Sequence, residues 1–337
     1  MPLPFLPVFR FLFRPASGPQ PKEHSVSRLA SLVLALSLTA ATPALAADKL
    51  TVLMDWFTNP DHAPLVVAKQ KGYFAAEGLE VELIEPADPS MPPKLVAAGQ
   101  GDIAVSYQPT LHAQIDEGLP LAWIGTLIET PLNSLIVLED GPIRSLADLK
   151  GKKIGFSVSG FEDAMLGQML KTQGLTIEDV ELINVNFALS PSLLSGQVDA
   201  IIGGYRNFEL TQIELEGRKG KAFYPEENGV PVFDELIYVA HKDKLDDPRL
   251  PRFLAAVEKA TIYLTNHPQD AWKLFIEAHP NLDDELNRRA WGDTLPRFAK
   301  RPAALDEQRY TRFATFLKDN GLIKAVPPVE TYAREVN

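Results

Sequence analysis

The chain runs to 337 residues, 45% hydrophobic and 23% charged, with no cysteine and a formal net charge of −11. That length suits two domains of about 100–200 residues, each able to bury its own core. Lack of cysteine excludes disulfides, thiolate catalysis, iron–sulfur clusters and thiolate zinc sites, and an acidic surface disfavours nucleic acid and anionic lipid as partners.

Residues 1–46 read as an export signal. Arg28 precedes an apolar run of 13 residues, Leu29 to Ala41, and Ala44-Leu45-Ala46 supplies the small-x-small pattern that a signal peptidase cleaves. The run is shorter than the roughly 20 residues a spanning helix needs, and no comparable run follows. The expectation is a periplasmic protein cleaved near Ala46, with no membrane insertion of the mature chain. The leading stretch, with Pro2, Pro4, Pro7 and Pro15, exceeds an ordinary n-region, and Val26 is an alternative start. A lipid anchor at the cleavage site would require a cysteine. The signal carries Arg10, Arg14, Lys22 and Arg28 against Glu23, so the 291 residues beyond it hold −14.

Beyond the signal, short β-rich runs alternate with helical stretches, the pattern of α/β units around mostly parallel sheets. The order occurs twice. Leu50 to Met54 and Lys153 to Val158 read as strands entering polar loops, and Val81-Glu82-Leu83-Ile84 returns letter for letter as Val180-Glu181-Leu182-Ile183. Asp88-Pro89 and Ser190-Pro191 then offer an N-cap with proline at the first helical position. Gly99-Gln100 and Gly196-Gln197 close those helices, and the strands from Asp102 to Val105 and Asp199 to Ile202 follow. The matched landmarks lie 99 and 97 residues apart, which predicts two β-α-β-α-β lobes. Strands at Asn133 to Leu138 and Glu235 to Ala240 are expected to be the two crossings. Lobe 1 then comprises 47–134 plus 241–337, with the helical tail packing back onto it, and lobe 2 comprises 135–240.

Two lobes joined twice form a hinge and a cleft, and ligands in open α/β sheets lie beyond the carboxyl ends of the strands. Those ends carry Asp55-Trp56-Phe57-Thr58-Asn59-Pro60-Asp61-His62, Ser106-Tyr107-Gln108, Ser159-Gly160-Phe161-Glu162-Asp163, Asn186-Phe187 and Gly203-Gly204-Tyr205-Arg206-Asn207-Phe208-Glu209. Carboxylates, amides and rings together fit a flat polar heterocycle: rings stack on its faces while carboxylates accept from its amine. The candidate ligand-binding residues are Asp55, Trp56, Asn59, His62, Tyr107, Phe161, Tyr205 and Glu209. Asp55 and Glu209 are expected on opposite lobes of an open, wet cleft. Plainer roles exist for several: Trp56 as core, Asp55 as a helix cap, and Arg206 in an ion pair with Glu209 or Glu162. No nucleophile elbow, dinucleotide fingerprint, Walker sequence or His-Glu-x-x-His occurs, and no histidine pair has helical spacing, so neither catalysis nor a metal site is expected.

The runs Asp55-Trp56 to His62, Lys71-Gly72-Tyr73-Phe74, Glu85-Pro86-Ala87-Asp88-Pro89, Leu149 to Gly155, Gly203 to Glu209 and Tyr224-Pro225-Glu226-Glu227 resemble the pyrimidine-binding proteins for thiamine precursors. Lys-Gly-x-Phe and Leu-Lys-Gly-Lys-Lys-Ile-Gly are common among solute-binding proteins. The Asp-Trp-x-x-Asn-x-x-His and Tyr-Arg-Asn-x-Glu runs are more specific. The resemblance implies a bilobal periplasmic-binding-protein fold that closes on an aminopyrimidine without cofactor and hands it to the permease and ATPase subunits of an ABC importer. It implies that Asp55 and Glu209 hydrogen-bond the pyrimidine, with Trp56 and Tyr205 against the ring. Fungal relatives of this fold are synthases that consume pyridoxal phosphate and one of their own histidines, using a lysine and a cysteine-rich iron loop. Here the matching positions read Ser106 and Thr110, and cysteine is absent. A sulfonate-binding protein, the third alternative, would want several Arg or Lys at the strand ends, where only Arg206 stands.

Overall fold

A computed structural model describes residues 46–336, together with Gly18. Apart from Gly18 and Ala46, the expected export signal lies outside the described residues. The first half of the described chain holds β1 (Asp48–Leu53), α1 (Ala63–Gln70), α2 (Tyr73–Ala76), β2 (Leu79–Ile84), α3 (Pro92–Ala97), β3 (Ile103–Ser106), α4 (Gln108–Asp116) and β4 (Leu121–Ile128). The second holds β5 (Asn133–Leu138), β6 (Lys153–Phe156), α5 (Glu162–Lys171), β7 (Glu181–Asn184), α6 (Leu189–Leu194), β8 (Ala200–Tyr205), α7 (Glu209–Leu215) and β9 (Gly220–Phe223). Strand β10 (Leu236–His241) and helices α8 (Arg249–Asn266), α9 (Pro268–Ala278), α10 (Glu285–Thr294) and α11 (Glu307–Asp319) follow.

These strands form two five-stranded sheets of matching order, β2-β1-β3-β10-β4 and β7-β6-β8-β5-β9. In each, the first three strands are parallel and the fourth runs antiparallel between its neighbours. The sequence repeat is therefore a structural one, and the protein is a bilobal α/β fold. Strands β3 and β4 are buried along their whole length; β3 lies inside the sheet, and β4, at its end, is covered where Ala333 and Phe298 bridge to Trp123 and Ile128.

The crossings fall elsewhere than expected. Asn133 to Leu138 and the strand near Glu235 are sheet members, and the chain changes sheet just before each, through residues 129–132 and 224–235. Strand β10 thus pairs in the first sheet, although a boundary at 240 would leave it with the second lobe. Strands 121–128 and 220–223 were not foreseen. The predicted caps also differ: Asp88 turns back to accept from the backbone N–H of Ser90 at 2.8 Å, and α3 starts at Pro92. Ser190 lies inside α6, which starts at Leu189. The glycine ends hold, since Gly99 and Gly196 both sit at φ 75°, the left-handed conformation a helix end needs.

Helix α8 packs on α1 and α2, and α9 packs on α1. Helix α10 also touches α7 of the second lobe. No helix among the described residues is long and apolar enough to cross a membrane.

Candidate functional site

Between the sheets lies a cleft of about 500 Å³ lined by Asp55, Trp56, Asn59, Asp61, His62 and Tyr107 from the first half. Asn133, Val158, Glu162, Leu189, Gly203, Tyr205, Phe208, Glu209 and Leu236 complete it. Seven of the eight candidate residues are brought together here. Phe161 is not at the cleft surface; it stacks behind Tyr107, with ring centroids 5.8 Å apart.

The first-lobe wall is built by a short turn. Past β1 the backbone leaves the sheet, and Asn59 caps the 3-10 helix Pro60–His62, accepting from the Asp61 N–H at 2.8 Å and donating to the Phe57 carbonyl at 3.1 Å. Its polar atoms are therefore engaged locally. The Asn59 N–H donates to His62 Nδ1 at 3.2 Å, which leaves the ring proton on Nε2, and Nε2 donates to Asp55 Oδ1 at 2.9 Å. The Tyr107 hydroxyl donates to Asp55 Oδ2 at 3.0 Å. Burial and the Asp55 carboxylate push the Tyr107 phenol well above its ordinary range, so it stays a donor. Asp61 accepts from Asn207 Nδ2 at 2.7 Å and from the Thr294 hydroxyl at 2.8 Å, and burial raises its pKa. Asn207 comes from the loop after β8, so this contact joins the lobes.

The second-lobe wall works differently. Glu162, the first residue of α5, turns back so that Oε2 accepts from the N–H groups of Ser157 at 2.7 Å and Val158 at 3.1 Å. Its other oxygen lies over Gly203, whose φ of 95° and lack of a side chain make that approach possible; a Cβ there would overlap the carboxyl group. Burial lifts the Glu162 pKa to about 8. Glu209, the first residue of α7, likewise accepts from the Tyr205 N–H at 2.6 Å, and burial lifts it to about 7.

Both crossings meet at one carboxylate. Glu235 Oε2 accepts from the backbone of Leu132 at 2.6 Å and Asn133 at 2.9 Å, and burial raises its pKa to about 7. Arg206 grips the same stretch by the carbonyls of Leu132 and Asn133. Its ion-pair partner is Glu226 at 2.6 Å, with Tyr224 beneath the guanidinium at 4.1 Å, rather than Glu209 or Glu162. Those acids are committed to backbone N–H groups instead.

Rings from the two lobes also meet. Trp56 meets Phe187 edge-on at 4.7 Å and Phe57 meets it at 4.4 Å, one partner from each lobe. With the lobes together, Asp55 is 3% and Glu209 8% exposed, so neither faces the open, wet cleft expected of them. Glu162, Asp61 and Asn133 were absent from the candidate residues. Glu162 stood in a strand-end loop and could have been found from Gly203-Gly204, which signals close approach by another group.

Two lobes of matched sheets around one enclosed cleft define the architecture of a periplasmic binding protein. The alkanesulfonate-binding protein SsuA of Xanthomonas axonopodis pv. citri, solved with MOPS bound, superposes with a TM-score of 0.67 at 16% identity over 85% of this chain and 98% of its own. Residues 59–271 match the family described as NMT1/THI5 like, and the chain belongs to that family. A Haemophilus influenzae protein named for thiamine biosynthesis is 53% identical over 93% of this chain and 99% of its own. The formylaminopyrimidine-binding protein of Halalkalibacterium halodurans is 31% identical over 74% of this chain and 78% of its own. The 4-amino-5-hydroxymethyl-2-methylpyrimidine phosphate synthase of Legionella pneumophila is 27% identical over 81% and 89%.

Proposed function

We propose that this chain is the extracytoplasmic solute-binding subunit of an ABC importer, that it captures an aminopyrimidine precursor of thiamine by hinge closure, and that it catalyses nothing. The observation that carries this is the cleft itself, where four carboxyl groups and the rings of Trp56, Tyr107 and Tyr205 converge from both lobes. Rings suit the faces of a heteroaromatic ligand, and carboxyl groups suit its amine and ring nitrogen. The eight candidate residues belong to this proposal, with Phe161 supporting Tyr107 from behind. The named role of the Halalkalibacterium relative points the same way. Export to the periplasm and docking on a permease and its ATPase are parts of the same reading.

The synthase alternative fits the residues poorly. A Schiff base with pyridoxal phosphate requires a lysine, and neither lysine nor arginine lines the described cleft to hold the aldehyde or the phosphate. Ser106 and Thr110 stand on β3 and α4, and the chain has no cysteine for an iron loop.

The reading is tested by calorimetric titration of the purified protein with formylaminopyrimidine, with pyridoxal phosphate plus ferrous iron as the control. One-to-one binding and a melting temperature that climbs with ligand concentration are expected, without a Schiff-base absorbance band. A clear response to a sulfonate or an amino acid and none to any aminopyrimidine would overturn it.

A further inference from the structure

The charges around the cleft are one-sided. Asp55, Asp61, Glu162 and Glu209 line it, and the sole basic side chain among the described lining residues is His62. His62 is spent on Asp55. Arg206, beside Tyr205 in the sequence, is held by Glu226 and the backbone of the first crossing.

The backbone is committed as well. Amides in loops that lead into helices are the usual donors to a phosphate or sulfonate. Here Ser157 and Val158 donate to Glu162, and Tyr205 donates to Glu209. The protein has filled these positions with its own carboxyl groups. Glu162 is 3% exposed, and its Oε1 accepts no hydrogen bond among the described residues.

Resting on the reading of the cleft as an aminopyrimidine site, we infer that it is a charge filter. It takes a ligand that carries or shares a proton at a ring nitrogen, and it turns away the phosphate monoester of the same alcohol, with Glu162 and Glu209 setting the preference. The free oxygen of a protonated carboxyl group can donate its O–H to the ring nitrogen. If the proton moves to the ring, the result is a carboxylate against a pyrimidinium. Either arrangement buries no net charge. A phosphate monoester brings about −1.5 to −2 charges at neutral pH into a described lining with four carboxyl groups and no lysine or arginine, where like charges and lost hydration both oppose it.

The test compares 4-amino-5-hydroxymethyl-2-methylpyrimidine with its phosphate ester by calorimetry, and benzamidinium with benzenesulfonate by thermal shift, all on the purified protein. The ester should bind at least about a hundredfold more weakly than the alcohol, and benzamidinium alone of the second pair should raise the melting temperature. Replacing both acids (Glu162→Gln with Glu209→Gln) should narrow the gap between alcohol and ester to under about tenfold. Binding of the ester within about threefold of the alcohol overturns the filter and leaves the pyrimidine reading standing. Stabilisation by benzamidinium with no response to either pyrimidine supports the filter and removes the pyrimidine reading. Equal stabilisation by benzenesulfonate and benzamidinium overturns the filter whatever the pyrimidines do.

Discussion

The two walls of the cleft are made of the same residue types and are finished to different degrees. On the first lobe, Asp55 has both oxygens engaged by side chains, and Asp61 accepts twice on one oxygen. On the second, Glu162 and Glu209 are each braced by backbone N–H groups on one oxygen only. Asp55 is fully engaged before a ligand arrives, whereas Glu162 and Glu209 each keep one oxygen in reserve. A substitution at Asp55 should therefore disturb the empty protein, and one at Glu209 chiefly the complex.

The largest effect should come from Gly203→Ala. A methyl group there must be accommodated at φ 95° and must displace the Glu162 carboxyl group. The backbone conformation alone costs about 1–3 kcal/mol. Urea unfolding should show at least that loss, and titration should show affinity lowered more than about a hundredfold. A variant that keeps wild-type affinity would mean that Glu162 does not need its present position for binding.

Next comes the contrast between Asp55→Asn and Glu209→Gln. Each should weaken aminopyrimidine binding by about tenfold to a hundredfold, the worth of a hydrogen bond to a charged group. Only Asp55→Asn should also lower unliganded stability, by about 1–3 kcal/mol, because its amide NH2 must face either the His62 N–H or the Tyr107 hydroxyl. The side-chain carbonyl left by Glu209→Gln still accepts from the Tyr205 N–H. If Glu209→Gln leaves affinity untouched and lowers the melting temperature by several degrees, Glu209 is a brace for α7 and the asymmetry between the walls is lost.

The last expected effect is on pH dependence. The Glu162 pKa is raised from 4.5 to about 8 in the folded protein. Between those values the folded state holds a proton that the unfolded chain has released, so stability falls as pH rises across that window. Glu209, raised to about 7, adds to the same slope over a shorter range. Melting temperatures of the unliganded protein should decline from about pH 4.5 to about pH 8, and Glu162→Gln should flatten the curve. An unchanged curve in that variant would place the titrating group elsewhere, with Glu235 the first to examine.

The architecture was legible because it is periodic and local. Strand, glycine-ended helix and strand recur at near-equal spacing, and side chains at strand ends fall in a cleft whenever two such units face each other. Residues whose roles depend on long-range pairing were not legible. Nothing near Glu235 in the sequence tells that its carboxylate reaches the backbone of residues 132 and 133, a hundred positions earlier. Strand β4 escaped because Leu121 to Ile128 has Thr126 as its one polar side chain, and such a run shows no alternation to read. Arg206 was assigned to nearby acids, while Glu226, 20 residues away, held the better bidentate geometry.

The exchanged fourth strands also impose an order of assembly. Every strand of the second sheet lies within residues 133–223, an uninterrupted stretch, whereas the first sheet needs β10 at 236–241 to sit between β3 and β4. Until that late segment arrives, β3 and β4 have no partner between them. The lobe that begins the chain is thus the one that finishes last, waiting on a contact of high sequence separation. For a chain passing end-first through a narrow channel, this keeps the leading half incomplete until almost three-quarters of the residues have emerged. Pulse-labelled hydrogen exchange during refolding, with β8 protected before β3, is the signature of that order.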